Sequence, residues 1–334
     1  MKTLHITTVI AALVLFAAAC DRVFADPLSG ETLKFQQLPL NKGLAPSVGG
    51  QQYPGHDEWS TAYASPAPNL GTYQGDFMAD DFADNFSTPV VHVRWWGSYD
   101  QNQSFQGVQK FLIAFESDLP NDPLLNGASR PDQPLLTQVV TSGPLSPGSG
   151  TFTESLINGN VPEHLYQYNA ELALPFNELA DTVYWLKIVA LVDPATEGAI
   201  KWGWHDRDWG IKDTLASPNV TPGETAGTLI DPNGVPQPVW HFQDDAVSGQ
   251  VIVTDNGVSP PNIVQQSGYR PENYISIPGA VPIDGPPGIE NFSKDLAFEL
   301  FTRVPEPSTV ALASIGAVGF GCTVWRKRRR RKTA

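Results

Sequence analysis

The densest chemistry in this sequence is aromatic: Trp202-Gly203-Trp204-His205-Asp206-Arg207-Asp208-Trp209, with Trp95-Trp96 and Trp185 upstream. In an extended segment Trp202 and Trp204 share a face, because side chains two residues apart on a strand point the same way. Two indole planes so placed would stack on sugar rings, with His205, Asp206 and Arg207 bonding to hydroxyls. The competing reading puts the same indoles in the core, where each Trp removes a large apolar area from water. The core reading carries more weight for Trp202 and Trp204. Trp209, beyond the charged Asp206-Arg207-Asp208 turn, is the residue expected at the surface.

A second constellation is acidic: Asp76, Asp80, Asp81 and Asp84, with Asp206 and Asp208 far along the chain. Converging carboxylate oxygens suit calcium, but this spacing matches no EF-hand loop. Catalytic patterns are scarce. The chain has no H-E-x-x-H, no G-x-S-x-G and no phosphate-cradling glycine loop. Its histidines, His5, His56, His92, His164, His205 and His241, show no metal-ligand spacing to one another. A carboxylate pair for glycoside hydrolysis obeys no sequence spacing rule and stays open. The expectation is a protein that is not an enzyme and has no cofactor, calcium being the one metal with an argument behind it.

These residues sit between two ends that direct the chain elsewhere. At the C-terminus a short block, 304–309, contains Pro305-Glu306-Pro307; an uncharged span, 309–325, follows, then the basic end 326–332. As a helix the span reaches roughly 25 Å at about 1.5 Å per residue, just short of a bilayer core of about 30 Å. Arg326, Lys327, Arg328, Arg329, Arg330 and Arg331 then hold its far end on the cytoplasmic side. The prolines keep the short block extended outside the membrane, within reach of a processing enzyme. Block, span and basic end together resemble the PEP-CTERM sorting signal. That resemblance implies an exosortase-type partner and an inner-membrane-tethered precursor. It further implies delivery to the cell surface, outer envelope or extracellular matrix; a plain single-pass anchor is the alternative.

At the N-terminus Lys2 precedes an apolar run over 6–19, and Val23-Phe24-Ala25 places small or apolar residues where a signal peptidase cuts. Residues 1–25 therefore read as a signal peptide cleaved after Ala25. A lipoprotein signal ending at Cys20 is the competitor. Cys20 and Cys322 lie in the two ends, so the body, 26–303, has no cysteine and must hold its fold without disulfides. That body carries 12 cationic against 33 acidic residues, a net charge of −21. Such a balance argues against nucleic acid and against anionic surfaces as partners.

The body reads as all-β. Short apolar or alternating runs rich in β-branched and aromatic residues cover 92–96, 108–115, 135–140, 165–174, 183–192, 200–205, 239–242, 250–254 and 296–302, with turn clusters between them. Alternation is clearest at Tyr166, Tyr168, Ala170, Leu172 and Leu174 and at Tyr184, Leu186, Ile188, Ala190 and Val192, predicting one buried and one wetter face. Strands without intervening helices predict an antiparallel β-sandwich of jelly-roll type with long loops. Segment 217–287, rich in Pro and Gly, is expected to be loops around two short strands at 238–243 and 250–255. The part before about Gly75 is expected to be loop-like. The body also resembles an uncharacterised β-rich domain met among exosortase-sorted proteins. The resemblance rests on Asp80-Asp81-Phe82, Val93-Arg94-Trp95-Trp96-Gly97-Ser98-Tyr99, Tyr184-Trp185-Leu186, Trp202-Gly203-Trp204-His205 and Leu296-Ala297-Phe298-Glu299-Leu300, and implies no activity. The leading expectation is an exported non-enzymatic protein. The alternatives are a carbohydrate-binding module recognising exopolysaccharide and, third, a secreted glycoside hydrolase.

Overall fold

The structure, a computed structural model, describes residues 28–39, 57–66, 71–100, 107–120, 122–123, 129–158, 164–207, 228–230, 236–238, 246–255, 262–271 and 295–303. Every named element among them is a strand: β1 (Glu31–Gln37), β2 (Asp57–Trp59), β3 (Thr61–Ala64), β4 (Thr72–Phe82), β5 (Val90–Tyr99), β6 (Lys110–Leu119), β7 (Arg130–Ser142), β8 (Thr151–Asn158), β9 (Leu165–Phe176), β10 (Tyr184–Val192), β11 (Trp202–His205), β12 (Thr228–Ile230), β13 (Pro236–Pro238), β14 (Val247–Thr254), β15 (Asn262–Pro271) and β16 (Phe298–Arg303). The all-β expectation holds. β12 and β13 pair only with each other, while the other strands form one hydrogen-bonded path, β1-β16-β5-β9-β8-β7-β6-β10-β3-β4-β14-β15, with β11 and β2 added beside β5.

That path departs from two separate antiparallel sheets. β7 and β8 meet in parallel through Thr141↔Thr151 and Ser142↔Phe152, and β10 meets β3 in parallel over three residues. The short β7–β8 seam joins two limbs whose side chains meet. Trp95 of β5 lies 5.2 Å from Phe111 of β6, Phe115 of β6 stacks on Phe176 of β9 at 4.3 Å, and Phe82 of β4 contacts Phe298 of β16. This aromatic layer is the main core, and Tyr184, Leu186, Ile188, Ala190 and Val192 feed it from alternate positions of β10.

The opposite face of β10 is not wet. Trp185, Val189 and Leu191 join Phe77, Ala79, Val247, Val251 and Val253 in a second buried cluster. β10 therefore has apolar neighbours on both faces, which its composition Tyr-Trp-Leu-Lys-Ile-Val-Ala-Leu-Val suits. The described residues before Gly75 are also not loop-like: β1 pairs antiparallel with β16 at one end of the path, and β3 pairs with β4. β1 was hidden because its Glu-Thr-Leu-Lys-Phe-Gln-Gln mixes charges into both faces. Within 217–287, β14 answers the expected strand at 250–255, whereas β15 fills a stretch expected to be loop and gains its order from pairing along β14. The strand expected at 238–243 lies almost wholly outside the described residues.

Gly97 shows why the Trp-Trp-Gly run matters. A Cβ there would sit 2.4 Å from the Gly203 carbonyl oxygen and 2.5 Å from the Trp202 ring. Only glycine lets β11 lie across β5 with an indole against the backbone.

Candidate functional site

Strand register alone assembles one polar cluster. On the outer face of β5, His92 stands opposite Glu171 of β9 and Phe301 of β16, and Arg94 stands opposite Asn169 and Glu299. Directly opposed residues on neighbouring strands have Cβ atoms about 4.5–5.5 Å apart, so long polar side chains there must meet. Arg303, two residues beyond Phe301 on the same face, is opposite Glu31 of β1. Four strands therefore contribute to a single row at the β1 end of the sheet.

The contacts close that row. His92 Nδ1 lies 2.9 Å from Glu31 Oε2 and 3.5 Å from Glu171 Oε1, and its Nε2 is 3.3 Å from Asn169 Oδ1. Arg94 donates from Nε to the same Asn169 oxygen at 2.8 Å and from Nη1 to Glu299 at 2.6 Å, its guanidinium lying over the Phe301 ring. Arg303 Nη2 donates to Glu31 Oε1 at 2.6 Å and lies 3.2 Å from Glu171 Oε2. The Glu31, His92 and Glu171 side chains are fully buried. Burial by itself would raise the Glu31 carboxyl, but side-chain hydrogen bonding with His92 and Glu171 and the His92 charge outweigh it and bring it to about 2. Burial likewise works against the charged imidazole of His92, and the hydrogen bonds and charges of Glu171 and Glu31 overcome it and raise its pKa. Two carboxyl groups thus face one imidazole and one guanidinium.

The residues singled out from sequence fall elsewhere. Trp202 and Trp204 are fully buried, so the two-indole sugar platform is corrected to core. Trp202 packs against Phe111 and donates from Nε1 to the Tyr168 hydroxyl at 3.1 Å, while Trp204 donates to the Ala297 carbonyl at 2.9 Å. His205, Asp206 and Arg207 are buried as well. His205 Nδ1 is 2.7 Å from Asp57, which also accepts from Ser98 Oγ, and Arg207 pairs with Asp295 at 2.8 Å. The order Ser98, Asp57, His205 places the acid in the middle, so the imidazole is not the group that receives the Ser98 hydroxyl. Trp209 lies outside the described residues.

The four aspartates do not converge. Asp80 and Asp81 are consecutive on β4 and point to opposite faces, as neighbours on a strand must. Asp80 accepts from the Leu296 amide at 2.7 Å, Asp84 is held with Glu178 around the buried Lys34 amine, and Asp76 is exposed. The calcium cluster expected from Asp76, Asp80, Asp81 and Asp84 is therefore not assembled. Ala25, Pro305, Glu306, Pro307 and the basic residues from Arg326 to Arg331 all lie outside the described residues, as does the expected span. Among the described residues no helix is long and apolar enough to cross a membrane.

The sequence reading missed Glu31, His92, Glu171 and Arg303, whose separations along the chain reach 272 residues. Only strand order and register bring them together, so no spacing rule along the chain could have found them.

Two family matches locate the chain. Residues 303–330 match the PEP-CTERM protein-sorting motif, which implies export, processing by an exosortase and association with the cell envelope. No curated protein and no solved structure matches the chain. Residues 33–247, more than half of the length, match a domain of unknown function, and the chain belongs to that family, DUF7901.

Proposed function

We propose that the chain is an exported, non-enzymatic protein that an exosortase releases from an inner-membrane-tethered precursor and passes to the cell surface or its extracellular matrix. The observation that carries this reading is the place of the sorting motif, which begins at Arg303, the last residue of β16. Arg303 is ion-paired to Glu31 and Glu171, so an anchored residue of the sheet stands two residues before Pro305. In this reading residues 1–25 are a leader cut after Ala25, 309–325 span the membrane, and the basic end retains the precursor during export. The two facing limbs form a distorted jelly-roll sandwich as the cargo.

The non-enzymatic part is supported by how the reactive side chains are engaged. Asp57 holds both Ser98 and His205, and Lys34 holds Asp84 and Glu178. The buried Trp202 and Trp204 withdraw the support that a sugar-binding face would need.

In a host that possesses the exosortase, changing Pro305, Glu306 and Pro307 together to Ala should leave uncut precursor in the inner membrane, since span and basic end remain. Fractionation with an antibody to the body reads the outcome. Wild-type release of the triple variant would overturn the sorting assignment.

A further inference from the structure

Glu31, His92 and Glu171 place one ligand atom each within 4.8 Å of one another. The two contacts made by His92 Nδ1, 2.9 and 3.5 Å, are the separations that ligands take around a first-row divalent ion bound at about 2.0–2.2 Å. An independent observation orients the ring. Asn169 Oδ1 accepts from Arg94 Nε at 2.8 Å and faces His92 Nε2 at 3.3 Å, so that oxygen is an acceptor and Nε2 carries the hydrogen. Nδ1 is thereby aimed at the two carboxylates. A metal-binding imidazole is oriented in the same way, its second nitrogen donating to a fixed oxygen.

Charge decides what can occupy the centre. Two buried carboxylates demand two compensating positive charges, because an unpaired buried ion is costly. In the metal-free arrangement Arg303 reaches both carboxyl groups, at 2.6 and 3.2 Å. A divalent ion supplies both charges from a single atom, and Arg303 is released. Arg303 can leave, since its side chain is 31 % exposed and sits on the last residue of β16. Its departure also opens the only side of the row held by a partly exposed group among these four residues.

We infer that Glu31, His92 and Glu171 form a binding site for a divalent transition-metal ion of the zinc class, in competition with the Arg303 guanidinium. The imidazole nitrogen favours such ions over calcium and magnesium, which prefer all-oxygen shells. Occupancy would tie β1 to β5 and β9 across the intervening β16 and would free Arg303, the residue at which the sorting motif begins. The inference does not depend on how the chain is sorted.

The test uses the full-length chain in detergent, stripped with a chelator and then titrated with Zn²⁺, Co²⁺, Ca²⁺ or Mg²⁺. One equivalent of Zn²⁺ should raise the melting temperature, and Co²⁺ should give visible absorption bands of a mixed nitrogen and oxygen shell. Ca²⁺ and Mg²⁺ should do neither. Arg303→Gln, which removes the competing cation at a partly exposed position, should bind Zn²⁺ about tenfold more tightly, equivalent to about 1.4 kcal/mol. His92→Asn should lose the Co²⁺ bands if it folds. The inference is overturned if Zn²⁺ leaves the melting of both wild type and Arg303→Gln unchanged. Co²⁺ bands that persist in His92→Asn, or Zn²⁺ affinity that is unaltered or weaker in Arg303→Gln, would overturn it equally.

Discussion

On the inner face of β5 and β9, Trp95 and Tyr168 stack at 5.3 Å with ring planes 12° apart; one residue along, on the outer face, Arg94 and Asn169 are joined by a 2.8 Å hydrogen bond. Both faces are closed to solvent. Gln167, Asn169 and Glu171 are as buried as Tyr166, Tyr168 and Ala170. The inner face is held by apolar area and ring contacts, which tolerate no gap but ask for no partner. The outer face is held by charges that each need a named counterpart. Removing a side chain therefore leaves a void on one face and a stranded ion on the other, and the two losses answer differently to repair.

The largest effect is expected on the inner face. Trp202 touches Phe111 and Tyr168 and is fully buried, so Trp202→Ala should cost about 3–5 kcal/mol of unfolding free energy, the range for deleting a large core aromatic. Denaturant unfolding of the variant measures it. A loss below about 1 kcal/mol would mean that the ring is not packed as described. No second substitution on a polar residue should restore the loss, because the missing quantity is volume.

The charged face should respond to repair. Lys187 of β10 is fully buried on the outer face of the other limb, 2.6 Å from both Glu116 Oε1 and Gln266 Oε1, with its amine over the Phe77 ring. Burial lowers its pKa, against the opposing charge of Glu116. Lys187→Met should cost about 3 kcal/mol because Glu116 is left buried without its cation, whereas Lys187→Met with Glu116→Leu should recover most of that. If the double variant is no better than the single one, the pair contributes more than mutual neutralisation and the contrast between the faces fails.

The same contrast sets what could be read from sequence. Period-two alternation at 166–172 and 184–192 located two central strands and their core residues, because burial of a pleated face leaves that mark. The polar residues between them were expected to be wetter, since polarity ordinarily signals solvent. Their burial comes from neighbours distant in sequence: Glu31 and Arg303 over His92 and Glu171, and Gln266 beside Glu116 and Lys187. Leu174 errs in the other direction, continuing the alternation yet standing 51 % exposed beyond the last β8–β9 pair, Phe152↔Ala170. The sorting signal was legible because it is contiguous, while the candidate metal centre depends on the register of four strands and left no local trace.

The smallest effect concerns a carboxylate that enters the aromatic layer. Glu154 of β8 accepts from the Tyr99 hydroxyl, and Tyr99 in turn receives the Val108 amide at 3.1 Å, while Tyr168 receives Trp202 Nε1. Burial raises the Glu154 pKa, and hydrogen bonds from Tyr99 and Tyr168 only partly oppose the rise. A carboxyl whose folded pKa exceeds its unfolded value binds its proton more tightly in the native state. Its contribution is fully present below the ordinary glutamate value of about 4.3 and is lost as pH rises through the folded value. Glu154→Gln keeps the shape and accepts the Tyr99 hydrogen bond without a charge. Near pH 4 the variant should therefore match wild type to within about 1 kcal/mol, the scale of one neutral hydrogen bond. Above the folded pKa the variant should become the more stable of the two. Unfolding curves of both proteins at steps between pH 4 and pH 8 isolate the term, because the other acidic groups contribute equally to each. A stability difference that stays flat across that interval would show that Glu154 is solvated, and one that turns in favour of wild type as pH rises would show that its partners favour the carboxylate over burial; either overturns the prediction.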